Sequence, residues 1–370
     1  MNEDKTQERT QYPISLVGLL HLTVEKKGSD LHLVAGSPPI IRIYGELVSQ
    51  DFPVLRPKDM EELLFSILLP LQIRTLEQEW ELDCSYSVEG LSRFRGNIMK
   101  QRGSYAAVYR AVPYNIKELD TLGLPEEIKK FCNANKGLVL VTGPTGSGKS
   151  TTLAAMIDYI NKTRSLNIVT VEDPIEFLHK HGKSTIRQRE VGSDTHSFTI
   201  ALKHVLRHDP DVILIGEMRD LDSIAIALTA AETGHLVFST LHTQTAPLTI
   251  NRIVDVFGGD RRDQIRLQLA NTLRGVISQQ LIPRADGNGR AVAVELMLTL
   301  PAVKSMIREG KEHQLYSVIQ TNQAMGMRTM DMALAKLYHA GEITKESALE
   351  YCIDRVEIER LLLNQAFSAR

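Results

Sequence analysis

The 370-residue chain is long enough for two domains at about 150 residues each, and 43% hydrophobic against 24% charged residues is the balance of a globular protein with a sizeable core. A formal net charge of −2 argues against non-specific nucleic-acid binding, which needs a basic face. The cysteines Cys84, Cys132 and Cys352 have neither metal-ligand nor disulfide spacing and fit a reducing cytoplasm, and the longest apolar-leaning run, Ile14 to Val24, falls short of the roughly 18 residues a membrane span needs, so direct membrane insertion is not expected.

Residues 1–13 read as a polar, loose tail rather than a signal peptide. Ile14 to Lys27 has helical spacing and meets Gly28, a natural helix stop. Leu31–Val34 and Ile40–Tyr44 read as short strands around Gly36-Ser37-Pro38-Pro39. Residues 58–79 read as one helix with Leu63, Leu64, Ile67 and Leu68 on a face. Asp83–Val88, Arg93–Ile98 and Ala106–Val112 read as further strands. These elements predict a small α+β domain over 14–115, followed by a linker over 116–125.

Beyond the linker, over 126–370, the pattern changes. Leu138–Thr142, Asn167–Val171, Val212–Ile215 and Leu236–Ser239 are apolar runs without polar alternation, separated by helical segments. Strands apolar on both faces and alternating with helices predict a parallel sheet covered on both sides. The region from about 260 onward reads as mostly helical.

The first apolar run leads into Gly143-Pro144-Thr145-Gly146-Ser147-Gly148-Lys149-Ser150-Thr151, which matches the phosphate-loop pattern G-x-x-x-x-G-K-[ST] between a strand and a helix. Gly143, Gly146 and Gly148 permit a tight turn whose N–H groups face one anion, and the following helix adds its positive end. The pattern predicts ATP binding, with Lys149 at the β- and γ-phosphates and Ser150 on Mg²⁺.

In open parallel sheets, ligands bind beyond the C-terminal strand ends. Glu172 and Glu217 stand at two such ends. Glu217 occupies the Mg²⁺-side acid position, although Gly216 replaces the aspartate often found before it. Glu172 is then the candidate for polarising the attacking water. The alternative for each is a solvated acid. His235 and His242 flank the fourth apolar run, with His242 expected to sense the γ-phosphate and His235 to contact nucleotide. The alternative for each is structural hydrogen bonding. Arg93, Arg95 and Arg110 lie on strand-like segments. They read either as a solvated face or as arginine fingers supplied to the γ-phosphate.

Together these residues resemble the secretion ATPase superfamily of type II secretion and type IV pili, and within it the pilus retraction ATPases. The resemblance rests on the loop 143–151, Val171-Glu-Asp-Pro-Ile-Glu176, Ile215-Gly-Glu-Met-Arg-Asp220 and Gly234-His-Leu-Val through Thr240-Leu-His-Thr243. It implies a PAS-like α+β N-terminal domain, a RecA-like P-loop ATPase domain with a helical C-terminal region, and a homo-hexamer completed by the N-domain arginines. It further implies ATP and Mg²⁺ as cofactors, peripheral attachment at the inner membrane through a pilus platform protein, and a second retraction ATPase as a candidate partner. No four-cysteine zinc module is present. Ala302–Glu309 keeps Ala302, Ile307, Arg308 and Glu309 of the retraction pattern A-I-R-N-L-I-R-E but carries Lys304, Ser305 and Met306. An accessory ring protein, a type II secretion or DNA-uptake ATPase, and a DNA motor are the alternatives; neutral charge and the lack of an aromatic-basic groove argue against the last.

Overall fold

The computed structural model describes residues 12–112, 116–218 and 220–363. Most of the expected tail lies outside the described residues, as do 113–115. The chain forms two compact units, 1–114 and 115–370.

The first unit opens with α1 (Leu16–Glu25), capped by Ser15, whose hydroxyl accepts from Gly18 N at 3.1 Å. Strands β1 (Gly28–Val34), β2 (Ile40–Ile43) and β3 (Glu46–Ser49) follow, then α2 (Pro57–Phe65) and α3 (Pro70–Glu79), then β4 (Glu81–Val88), β5 (Ser92–Gln101) and β6 (Ser104–Val112). The single helix expected over 58–79 is two helices, because Pro70 lacks an N–H to continue one helix and its fixed φ starts the next. The six strands form an antiparallel sheet in the order β3-β2-β1-β6-β5-β4. Along β5, Phe94 and Ile98 point into a core with Leu16, Leu20, Leu31 and Tyr109, and Arg93, Arg95 and Asn97 point the other way.

The second unit holds α4 (Ile128–Cys132), β7 (Gly137–Thr142), α5 (Lys149–Thr163), β8 (Asn167–Glu172), β9 (Thr185–Glu190), α6 (Phe198–Val205), β10 (Val212–Ile215), α7 (Leu221–Glu232), β11 (Leu236–Leu241), α8 (Ala246–Asp255) and α9 (Gly259–Thr272). Its last third adds β12 (Leu273–Pro283), β13 (Arg290–Leu298), α10 (Pro301–Arg308), α11 (Leu315–Thr321), α12 (Met330–His339), α13 (Lys345–Glu350) and α14 (Arg355–Leu363). The seven strands run in the order β13-β12-β7-β11-β10-β8-β9, all parallel except β13. Strands β7, β10 and β11 are buried at every residue, as their unbroken apolar runs predict. Helices α4 and α5 cover one face through Phe131, Met156 and Ile160, and α6 to α11 cover the other through Leu202, Ile224, Ile250 and Leu269.

Beyond residue 260 helices prevail as expected, and two strands missed in the sequence, β12 and β13, join the central sheet. Their apolar pattern is broken by Ser278, Gln279, Gln280 and Glu295, all buried. Strand β9 was also hidden, since Thr185-Ile-Arg-Gln-Arg-Glu190 carries the charges of a sheet edge. The expected class, an α+β N-terminal domain ahead of a RecA-like α/β domain with C-terminal helices, is otherwise the one found. No helix among the described residues is long and apolar enough to cross a membrane.

Candidate active site

Strand register decides which residues meet. Thr142 of β7 pairs with Leu241 of β11, Ser239 pairs with Ile215 of β10, and Ile215 with Val171 of β8. The phosphate loop, Glu217, Glu172 and His242 therefore lie beyond one edge of the parallel sheet.

The loop itself needs its glycines. Gly143, Gly146 and Gly148 have φ of +140°, +81° and +91°. A Cβ on Gly143 would stand 2.3 Å from the Gln279 carbonyl oxygen of β12. Gly148 is the residue before α5, so the loop N–H groups and the helix N-terminus face the same space. Lys149, the first residue of α5, is buried, and its Nζ donates to the Gly143 and Pro144 carbonyls at 2.8 and 3.0 Å. Burial lowers its pKa, and the Glu217 carboxylate opposes that shift. Ser150 is exposed in the first turn of α5 beside Thr151, whereas Pro144 and Thr145 are on the rim. Ser147 is buried, and its hydroxyl has no hydrogen-bond partner among the described residues.

Glu172, the last residue of β8, is 7% exposed. Its Oε1 accepts from the Thr170 hydroxyl at 2.6 Å and from Gln188 Nε2 of β9 at 3.2 Å. Desolvation raises the carboxyl's pKa, against the lowering effect of those two donors. Glu217 is part-exposed, and its Oε1 lies 3.1 Å from His242 Nε2. Thr240 braces the turn before it by donating to the Gly216 carbonyl at 2.6 Å. Gly216 also has a steric reason, since a Cβ there would crowd the Glu172 Cα at 3.3 Å.

His235 is a correction. It precedes β11, and its backbone carbonyl accepts from Gly137 N at the start of β7, so it belongs to the opposite sheet edge. A six-residue strand separates it from the phosphate loop by roughly 20 Å. Its Nδ1 lies 2.9 Å from the Ala230 carbonyl oxygen, so within this chain it ties β11 to the end of α7 and does not reach nucleotide.

The three arginines of the first unit share the polar sheet face. Arg95 of β5 pairs with Arg110 of β6, and Arg110 with Asp30 of β1. Arg110 Nε donates to Asp30 Oδ1 at 2.7 Å, and an Arg93 terminal nitrogen donates to the Ser85 hydroxyl at 2.8 Å. Burial works to raise the Asp30 pKa, yet the Ser29 hydroxyl and Arg110 hold it below its ordinary value. Arg95 is exposed.

Two contributors to the loop's surroundings escaped sequence reasoning. Gln279 backs Gly143, is almost wholly buried, and leaves its side-chain carbonyl without a partner. Arg290, which opens β13, reaches to 3.5 Å from the Gly146 carbonyl. A polar pair interrupting an apolar strand, Gln279-Gln280, was the available signal.

A phosphate loop joining a buried parallel strand to a helix, with two carboxylates and a histidine on neighbouring strand ends, defines a RecA-like P-loop ATPase. Residues 92–325 match the family described as Type II/IV secretion system protein, and the chain belongs to it. It is 47% identical over 337 residues to a type IV pilus retraction ATPase, PilT, of Pseudomonas aeruginosa, covering 91% of this chain and 98% of that one. It is 41% identical to the type IV pilus ATPase PilU of the same organism, covering 90% of this chain and 87% of the relative. Among solved structures, the pilus retraction motor PilT with bound ADP matches at 48% identity and a TM-score of 0.88, over 94% of this chain and 99% of that one. The ATPase DotB of Legionella pneumophila matches at 27% identity and a TM-score of 0.81, over 92% and 96%.

Proposed function

We infer that this protein is a hexameric motor that couples ATP hydrolysis to type IV pilus retraction, the pilus disassembly of twitching motility. The observation that carries the reading is its match, over 91% of this chain and 98% of the relative, to the pilus retraction ATPase of Pseudomonas aeruginosa. The motor works in the cytoplasm, held at the inner membrane by a pilus platform protein and alongside a second retraction ATPase. We assign 14–115 to the PAS-like domain, 116–125 to the linker and 126–370 to the ATPase domain.

Loop residues 143–151 grip the phosphates through backbone N–H groups and the positive end of α5. Lys149 exchanges the Gly143 and Pro144 carbonyls for β- and γ-phosphate oxygens. The Ser150 hydroxyl and the Glu217 carboxylate would hold Mg²⁺, and these hard oxygens suit an ion that keeps part of its water shell. Mg²⁺ supplies charge neutralisation at the transferring phosphoryl group. Glu172 accepts the proton of the attacking water, and its burial strengthens it as a base. His242 orients Glu217 across their 3.1 Å contact and sets the acid against the γ-phosphate.

A second reading, an accessory motor, draws on α10. Only Val303 and Ile307 of that helix are buried, Ser305 is bonded to Glu309 at 2.7 Å, and the departures Lys304, Ser305 and Met306 fall outside the buried pair. Retraction force measured in a deletion strain, complemented with wild type or Glu217→Ala, separates the readings. The motor predicts loss of retraction in the deletion and recovery with wild type alone. Normal force in the deletion would overturn it. Mg²⁺-dependent ATP turnover surviving in both purified Lys149→Ala and Glu217→Ala would overturn the site.

A further inference from the structure

The starts of β7 and β12, the end of β13 and the C-terminal end of α4 line an open surface cleft of about 610 Å³, at the sheet edge opposite the phosphate loop. That volume is in the range of small-molecule sites. Its lining contains Lys130, Lys136 and Arg274, the amides of Asn133 and Asn135, and no acid. None of the three cations forms an ion pair among the described residues.

The cleft is shaped by two glycines. Arg274 Nε donates to the Lys136 carbonyl at 2.7 Å, which lays the side chain across Gly137. A Cβ on Gly137 would stand 2.5 Å from that Nε. Next to Arg274, Gly275 admits the Phe131 ring, whose Cζ would lie 2.3 Å from a Cβ there. With Nε so held, the terminal nitrogens of Arg274 remain without a partner among the described residues. Thr299 donates its backbone N–H to the Arg274 carbonyl at 3.0 Å, and its own hydroxyl is buried with no partner. Behind the cleft, Arg164 donates to the Cys132 and Ala134 carbonyls and to Asn135 Oδ1, fixing the loop.

Three cations without an ion-pair partner, two amides and one unsatisfied hydroxyl line the cleft, with no carboxylate among the described residues to balance the charge. One carboxylate would neutralise only one of the three charges. A guanidinium fork and two lysines lining one cleft suit a multiply charged phosphate group. We propose that this cleft is a second anion site, separate from the nucleotide site, that takes a small ligand carrying a diphosphate-like group against the Phe131 and Leu298 wall.

The test uses the full chain with its phosphate loop saturated by Mg·ADP and inorganic pyrophosphate titrated by calorimetry. One further binding event per chain is expected, weakened about tenfold or more by the exposed pair Lys130→Gln and Lys136→Gln and by Arg274→Gln. ADP affinity is expected to stay unchanged in these variants. Citrate, a tricarboxylate, should bind less tightly at matched ionic strength. A Lys149→Ala protein without ADP should still bind pyrophosphate with the same lysine dependence, so the result does not lean on the loop's own ligand. Absence of the event in both backgrounds, or unchanged affinity in the lysine variant, would overturn the site. Citrate binding as tightly as pyrophosphate would overturn its assignment to phosphate.

Discussion

His242 Nε2 stands 3.1 Å from Glu217 Oε1, joining the ends of the adjacent parallel strands β11 and β10. The contact fixes the acid on the face of the loop that holds Lys149. If His242 acts through Glu217, His242→Ala should lower kcat about 10²-fold while leaving ADP affinity within about twofold. The double variant with Glu217→Gln should be no slower than Glu217→Gln alone, because the two residues form one unit. Steady-state kinetics with a fluorescent ADP titration reads both, and additive losses would separate the residues.

Glu172 lies on the next strand end and is more deeply buried. Desolvation raises its pKa, so its working, ionised form is populated at higher pH than that of an ordinary carboxylate. The acidic limb of kcat/KM should therefore lie at higher pH than an ordinary carboxylate would give. Thr170→Val removes the 2.6 Å donor that favours the carboxylate and should move that limb to higher pH. Glu172→Gln should cost about 10²–10⁴ in kcat and abolish the limb. A Thr170→Val profile superimposed on wild type would exclude Glu172 as the titrating base.

The phosphate loop was legible because its determinants are local: three glycines, a lysine and a serine within eight positions, between an apolar strand and a helix. The acids at 172 and 217 were legible through the rule that parallel sheets present ligands at their C-terminal edge. The same rule separates His235 from His242, since the run Leu236–Leu241 is a whole strand and its two flanks face opposite edges. Gln279 and Arg290 were not legible, because they reach the loop through β12 and β13, more than a hundred residues downstream. Nothing local in Gln279-Gln280 announces which loop it will back. Gly216 looked like a departure from pattern, and only the approach of Glu172 explains it.

A buried carboxylate that the sequence pattern did not single out gives the last prediction. Glu295 of β13 is fully buried, accepting from Ala246 N at 2.6 Å and Met330 N at 3.3 Å, the first residues of α8 and α12. It thus pins both the helix that follows His242 and the C-terminal helices. Desolvation pushes its pKa up to about 7, with the neighbouring Asp331 adding to the shift and the two N–H donors opposing it. The folded chain then holds this proton more tightly than the unfolded chain, whose carboxyl titrates near 4.5. Between those values the unfolded state binds fewer protons, so stability falls as pH rises toward about 7 and levels off above it. The full effect is on the order of 3 kcal/mol. Glu295→Gln keeps the shape and removes the titration, so its stability relative to wild type should improve between pH 5 and pH 7.5. Urea unfolding of both proteins at the two pH values measures this, and parallel pH slopes would show that Glu295 stays ionised throughout.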